Sequence, residues 1–132
     1  MRAAAVVLAL GLALADAPIA SAEPAAAPEA SDADGVLFTD NPSNVDPHPL
    51  AVESWSRVGD DRAVAVHFTT GTPACNRVHA TTQETADAVT IALKGGSLPA
   101  AAGRMCIMLA VTGTLVVPLT SPLGDRRVLS AT

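Results

Sequence analysis

His67, Cys75, His79 and Cys106 have the residue types of a zinc site. Their spacing argues against one. Cys75 and His79 are four positions apart beside or within an alternating run, and four extended residues span about 13 Å, whereas ligands of one zinc ion sit at bonds of about 2–2.3 Å. A thiol redox site would call for Cys-x-x-Cys, which the chain lacks. Nucleophilic hydrolysis requires a serine, a histidine and a carboxylate brought together. Ser54, Ser56, Ser97 and Ser121 stand beside His48, His67 and His79 as candidates, but no Gly-x-Ser-x-Gly elbow is present. A lone histidine on a strand reads first as a solvated surface group. Asp60-Asp61 falls in a turn cluster, where aspartate bonds the local backbone, and Glu84 and Asp87 flank another turn. No catalytic residue, metal ligand or cofactor is therefore expected. Asp125-Arg126-Arg127 leaves two readings open. Arg126 and Arg127 form a candidate binding surface for a carboxylate or phosphate, because arginine presents a planar fork of donors. Alternatively Asp125 caps a turn while the two arginines point to opposite faces, one of them paired with an acidic group.

The elements that would position these residues begin after an unusual N-terminus. Met1-Arg2 is a short positive start, and residues 3–15 are apolar and uncharged. Thirteen residues match the apolar region of a signal peptide, whereas a membrane span needs about 20. Ala20-Ser21-Ala22 supplies small residues before a cut, so residues 1–22 are expected to be removed after Ala22, with Ala13-Leu14-Ala15 as the second choice. No cysteine precedes Cys75, which excludes a lipid-modified N-terminal cysteine and leaves a mature chain with no membrane span. A secreted or extracytoplasmic chain meets an oxidising environment, where Cys75 and Cys106 are expected to pair.

Residues 23–47 are rich in Ala, Pro and Asp, and carry Glu23, Glu29, Asp32, Asp34, Asp40 and Asp46 with no basic residue. Such a segment buries too little to offset its ordering entropy, so it is expected to be a flexible acidic arm. Val36-Leu37-Phe38 is its exception, expected to dock as an edge strand or to act as a small recognition segment.

Residues 48–132 read as one β domain. Residues 52–58 and 62–68 alternate around the turn cluster Gly59-Asp60-Asp61, as a hairpin does. Residues 77–83 and 88–94 form a second alternating pair, closed by Gly95-Gly96 and stapled at its ends by Cys75 and Cys106. Residues 97–104 suit one helical turn, with Ser97 as its cap and Pro99 in the first turn. Residues 106–111 are apolar on both faces, the pattern of a strand buried on both sides. Thr112-Gly113 then reads as a turn or bulge, residues 114–119 as a strand whose Pro118 places it at a sheet edge, Ser121-Pro122-Leu123-Gly124 as a type I turn, and residues 127–130 as a closing strand. About seven short strands without an amphipathic helix point to an all-β fold, a small antiparallel β-sandwich of immunoglobulin-like size.

Cys75, Glu84-Thr85, the Val89-x-Ile91-x-Leu93 strand, Cys106 and the closing Ser121-Pro122-Leu123-Gly124-Asp125-Arg126-Arg127-Val128 together resemble a group of small secreted uncharacterised proteins from actinobacteria, mycobacteria among them. The resemblance covers residues 48–132 and is most specific in the closing motif. It implies export, a paired cysteine and a β-rich domain, and supplies no catalytic residues.

Composition narrows the function classes. The chain is 49% hydrophobic but only 2% aromatic, so a large aromatic binding platform is not expected. Residues 48–132 balance seven basic against six acidic groups, without the basic patch that nucleic acid requires. The expectation is a secreted, non-enzymatic interaction module of the cell envelope or exterior, whose partner is an unidentified protein or envelope component. A small secreted hydrolase or enzyme inhibitor is the alternative. Carriage of a ligand in the core is disfavoured, since a folded part of about 85 residues buries little beyond its own side chains. A deep polar pocket holding His67 or His79 would favour an enzyme, and an exposed apolar patch would favour binding.

Overall fold

A computed structural model describes residues 23–30, 35–101 and 105–132. The expected signal segment, its cleavage after Ala22, Asp32, Asp34 and the end of the expected helical turn at Gly103 and Arg104 lie outside the described residues. Among the described residues, nine strands form two sheets: β1 (Ala25–Ala26), β2 (Val36–Phe38), β3 (Val45–Leu50), β4 (Ser54–Arg57), β5 (Ala63–Thr70), β6 (Asn76–Glu84), β7 (Ala88–Ser97), β8 (Val111–Pro118) and β9 (Arg127–Ser130). One sheet runs β2-β8-β5-β4. The other is built on the long β7, which pairs with β6 along one side and with β9 and then β3 along the other, β1 lying outside β9. The fold is an all-β sandwich, mostly antiparallel, with β2/β8 and β7/β9 parallel.

Strand alternation places the core. Val64, Val66 and Phe68 of β5, Leu115 and Val117 of β8, Val89, Ile91 and Leu93 of β7, and Val128 of β9 are buried in one cluster with Trp55 and Phe38. Each occupies every second position of its strand, so one face of each sheet packs inward. Phe38 and Phe68 meet edge to face with ring centroids 5.5 Å apart. Gly113, expected to mark a turn or bulge, instead lies within β8 opposite Phe68. A Cβ there would sit 2.5 Å from the Phe68 ring and 2.9 Å from Phe38. Gly113→Ala should therefore cost about 1–3 kcal/mol by overpacking, which urea denaturation will measure. An unchanged midpoint would show that the rings move aside freely.

The described residues of 23–47 are not a free arm, since β1, β2 and the start of β3 belong to the two sheets, which corrects both the flexible segment and the boundary at residue 48. Ala25 and Ala26 pair with Ser130 and Leu129 on β9, and the chain then crosses to β4, where Trp55 N–H donates to Pro28 O (3.0 Å) and Ala30 N–H to Trp55 O (2.7 Å). The Trp55 indole also donates to Ala27 O at 3.0 Å. On the opposite side β2 covers the edge of β8, as expected for Val36-Leu37-Phe38, and Asp40 bridges to Val78 on β6. The segment thus stitches one sheet to the other along both open sides. Its composition misled because edge strands bind through main-chain hydrogen bonds, which need few large side chains.

Two other strand limits shift. β7 continues through Gly95 and Gly96, because β3 crosses so closely that a Cβ on Gly95 would meet Leu50 at 2.7 Å and one on Gly96 would meet Val45 O at 2.6 Å. Residues 106–110 form no strand and are not buried on both sides: Met105, Ile107, Met108 and Leu109 are 102%, 77%, 101% and 55% exposed. Pro118 keeps its expected role locally, since β2 pairs only with residues 113–115 and leaves that end of β8 uncovered on one side. The turn after it falls later than expected, with Arg126 N–H donating to Leu123 O (3.2 Å) and Gly124 at φ 56°.

Candidate functional site

Three arrangements of polar or apolar groups stand out, and two are already satisfied internally. In the first, β5 holds His67 on the outer face of its sheet, beside Ser54 on β4 and Thr114 on β8. Its Nε2 lies 3.0 Å from Ser56 Oγ and its Nδ1 3.0 Å from Thr114 Oγ1. The structure therefore brings Ser56 and His67 together, a contact that strand periodicity forecasts only once the β4/β5 register is known. The chemistry stops short of a triad. The position behind the imidazole that a carboxylate occupies is held by the Thr114 hydroxyl, while the Glu53 carboxylate accepts a bond from Thr69 Oγ1 at 2.9 Å. His67 is 3% exposed, and burial pushes its pKa below the ordinary 6.5. A neutral ring that donates from one nitrogen and accepts at the other bridges three strands. His67 is thus not the solvated surface group expected of a lone strand histidine.

His79 and His48 do not join it. The His79 ring lies 3.0 Å from both Asp40 carboxylate oxygens, and Asp40 also accepts the Ala80 N–H at 2.8 Å. This clip fastens the Asp40 segment to the edge of β6. His48 is exposed on β3. Cys75 and Cys106 are joined in a disulfide with Cα atoms 6.2 Å apart, as expected.

The second arrangement answers the question left by Asp125-Arg126-Arg127. Arg126 is turned inward, its side chain 11% exposed, and donates to the carbonyls of Leu123, Ser121, Pro122 and Thr85 and to Glu84 Oε1 at 3.1 Å. Glu84 in turn accepts from the Thr120 hydroxyl and N–H and from the Ser121 N–H. The Thr120 hydroxyl and N–H, with Arg126 and Ser121, lower its pKa from the ordinary 4.5 to about 2. Arg126 therefore has its donors engaged and is withdrawn from the candidate binding surface. Arg127, the next residue along, begins β9 and is exposed. The aspartate that bonds this turn is Asp61, whose Oδ2 accepts the Gly124 N–H at 3.1 Å.

The third arrangement lies at one pole of the sandwich, where β5, β6, β7, β3 and β8 begin or end around the disulfide. A cleft of about 700 Å³ opens there. Its apolar wall is Ile107, Met108, Leu109 and Ala110 beside the disulfide, and its opposite rim carries Thr69, Thr70, Asn76, Ser97 and Asp46. The wall is held by the staple: Cys106 anchors it to the start of β6, and Cys75 O accepts the Leu98 N–H at 2.9 Å. Aliphatic residues 106–111 signalled a buried strand in the sequence, so this surface was missed. The overlooked signal was Cys106 itself, which ties the run to a loop outside the sheet. Among the described residues, no helix is long and apolar enough to cross a membrane. Comparison of the chain with models of protein families, with curated proteins and with solved structures finds no match.

Proposed function

We propose that this protein is a secreted, non-enzymatic binding module of the cell envelope or exterior, and that the cleft at the disulfide pole is its binding surface. The observation that carries the reading is the run Met105, Ile107, Met108 and Leu109, four large apolar side chains each more than half exposed beside a cleft. Contiguous exposed apolar surface of this kind marks a place of contact; elsewhere among the described residues the exposed large apolar side chains are Val36, Leu37 and Val116. The disulfide is in keeping with export. Exported protein should begin at Glu23, and an intact Met1 in mass spectra of the culture medium would defeat the export reading.

The binding reading is tested with mature residues 23–132 immobilised against envelope and culture fractions. Saturable capture of a component is expected, together with its loss in an Ile107→Asp, Met108→Asp variant that melts like the parent. Both side chains are exposed, so the exchange leaves the core intact. Capture that depends instead on Arg127 would move the surface to β9. One contact favours the alternative of a small hydrolase, namely Ser56 Oγ to His67 Nε2 at 3.0 Å. Reproducible turnover abolished by His67→Ala would overturn the binding reading in its favour.

A further inference from the structure

Resting on that binding reading, we infer that the cleft takes a single-chain aliphatic amphiphile with a cationic head group. Its volume of about 700 Å³ falls within the range of roughly 300–1,000 Å³ typical of small-molecule sites. The ligand's body follows from the lining. The three aromatic residues of the chain, Phe38, Trp55 and Phe68, are all buried in the core, so the cleft has no ring on which a base, sugar or aromatic group would stack. Met108, Ile107 and Leu109 offer unbranched and branched aliphatic contacts instead, and methionine adapts its shape to a flexible partner.

The head group follows from Asp46, the one charged side chain among the described residues lining the cleft. Its placement is specific. Val45 pairs with Ser97 and His48 with Gly95, so Asp46 and Pro47 together face Gly96 in a bulge. Asp46 has a φ of 50°, in the left-handed region that aspartate tolerates better than most side chains. Pro47 has no N–H to lose from the ladder, and Gly96 lacks the Cβ that would collide with Val45 O at 2.6 Å. Bulges re-aim side chains at the margins of sites, and left-handed non-glycine residues concentrate at ligand clamps. Asp46 therefore sets a negative charge at the polar rim of an apolar cleft, which attracts a cation and repels a carboxylate or phosphate.

The test is calorimetric titration of mature residues 23–132 with dodecyltrimethylammonium and with dodecanoate, both below micelle-forming concentrations. One-to-one binding is expected, with the cation at least about fivefold tighter than the anion at low salt. Shortening the cationic probe from twelve carbons to ten should weaken it by roughly tenfold, as two fewer buried methylenes require. Asp46→Asn should bring the two head groups within about twofold, and Ile107→Asp should weaken both probes by tenfold or more. Absence of saturable binding, equal or tighter binding of dodecanoate, or an unchanged preference in Asp46→Asn would overturn the proposal. So would a concentration-dependent dimer in sedimentation that the cationic probe fails to dissociate, because a second copy would then cover the cleft. Failure here is separable from failure of the binding reading. If capture from envelope fractions still depends on Ile107 and Met108 while neither probe binds, the ligand class is wrong and the binding surface stands. If both are lost, both readings fall.

Discussion

Replacing Cys106 with serine should lower the unfolding free energy by about 2–4 kcal/mol, with a matching fall in the urea midpoint of the oxidised protein. The disulfide joins residues 31 apart in sequence, and in the chain-entropy account a closed loop of that length contributes roughly 3.5 kcal/mol by restricting the unfolded chain. That is a large part of the 5–15 kcal/mol, roughly, by which domains are stable. There is a second, local consequence. The β6/β7 pairing lies within the loop and keeps its hydrogen bonds, whereas residues 105–110 lose their tie to the start of β6. Amide exchange in Cys106→Ser should therefore rise first at Cys75, Asn76 and Leu98, whose N–H groups are hydrogen-bonded around the staple, and leave the middle of β7 protected. Binding at the cleft should weaken along with it. Thiol labelling of the denatured, unreduced parent should find no free thiol; two free thiols would overturn both the bond and the argument from compartment.

Arg126→Ala should cost about 2–3 kcal/mol, more than an exposed arginine would, and should alter the acid stability of the domain. Removing the guanidinium leaves Glu84, 14% exposed at its side chain, without its cation and strips the Thr85, Ser121 and Pro122 carbonyls of this donor, while Leu123 O keeps the Arg126 N–H. In the parent, Glu84 has a folded pKa of about 2 against an ordinary 4.5. Between those values the unfolded chain binds the proton more readily, so the stability Glu84 contributes is fully present above pH 4.5 and is lost as pH falls toward 2. His67 acts at higher pH with the same sign. Its folded pKa lies below 6.5, so acidification below that value also favours the unfolded chain. Denaturation midpoints followed from pH 7 to pH 2 should fall in two stages. Glu84→Gln should flatten the lower stage and leave the upper one, while His67→Gln should do the reverse. A parent whose midpoint is level from pH 4.5 to pH 2 would show that the Glu84 contacts do not favour its ionised form.

The exposed apolar wall has a practical corollary for these measurements. Residues 105–111 combine Met, Ile, Leu, Ala and Val without a charge or proline, the composition of a segment that pairs with other chains once freed. Cys106→Ser should accordingly aggregate more readily than the parent when partly unfolded, and light scattering during thermal unfolding will register it.

Amino-acid order alone determined the β class, the alternating runs 62–68, 77–83 and 88–94, and the pairing of the two cysteines. These depend on local periodicity and on a count of two thiols. Which residues face inward was equally close to legible, because a strand that alternates leaves no choice of face, whereas which of them meet across the sandwich waited on the strand order. Tertiary structure decided the rest wherever the deciding contact came from afar. Ala25, Ala26, Pro28 and Ala30 look like a linker by side chain, yet their main-chain groups close the edges of β9 and β4. Gly95, Gly96 and Gly113 look like breaks, yet they lie inside strands because another strand or two aromatic rings occupy the space of a Cβ. Arg126 and Arg127 are adjacent and chemically alike, but only the fold brings Glu84 and four carbonyls to the first and leaves the second in solvent. The aliphatic run after Cys106 carries the pattern of a buried strand. The disulfide holds it at the pole beside the start of β6, so the property that signals a core in sequence becomes a surface in the folded chain.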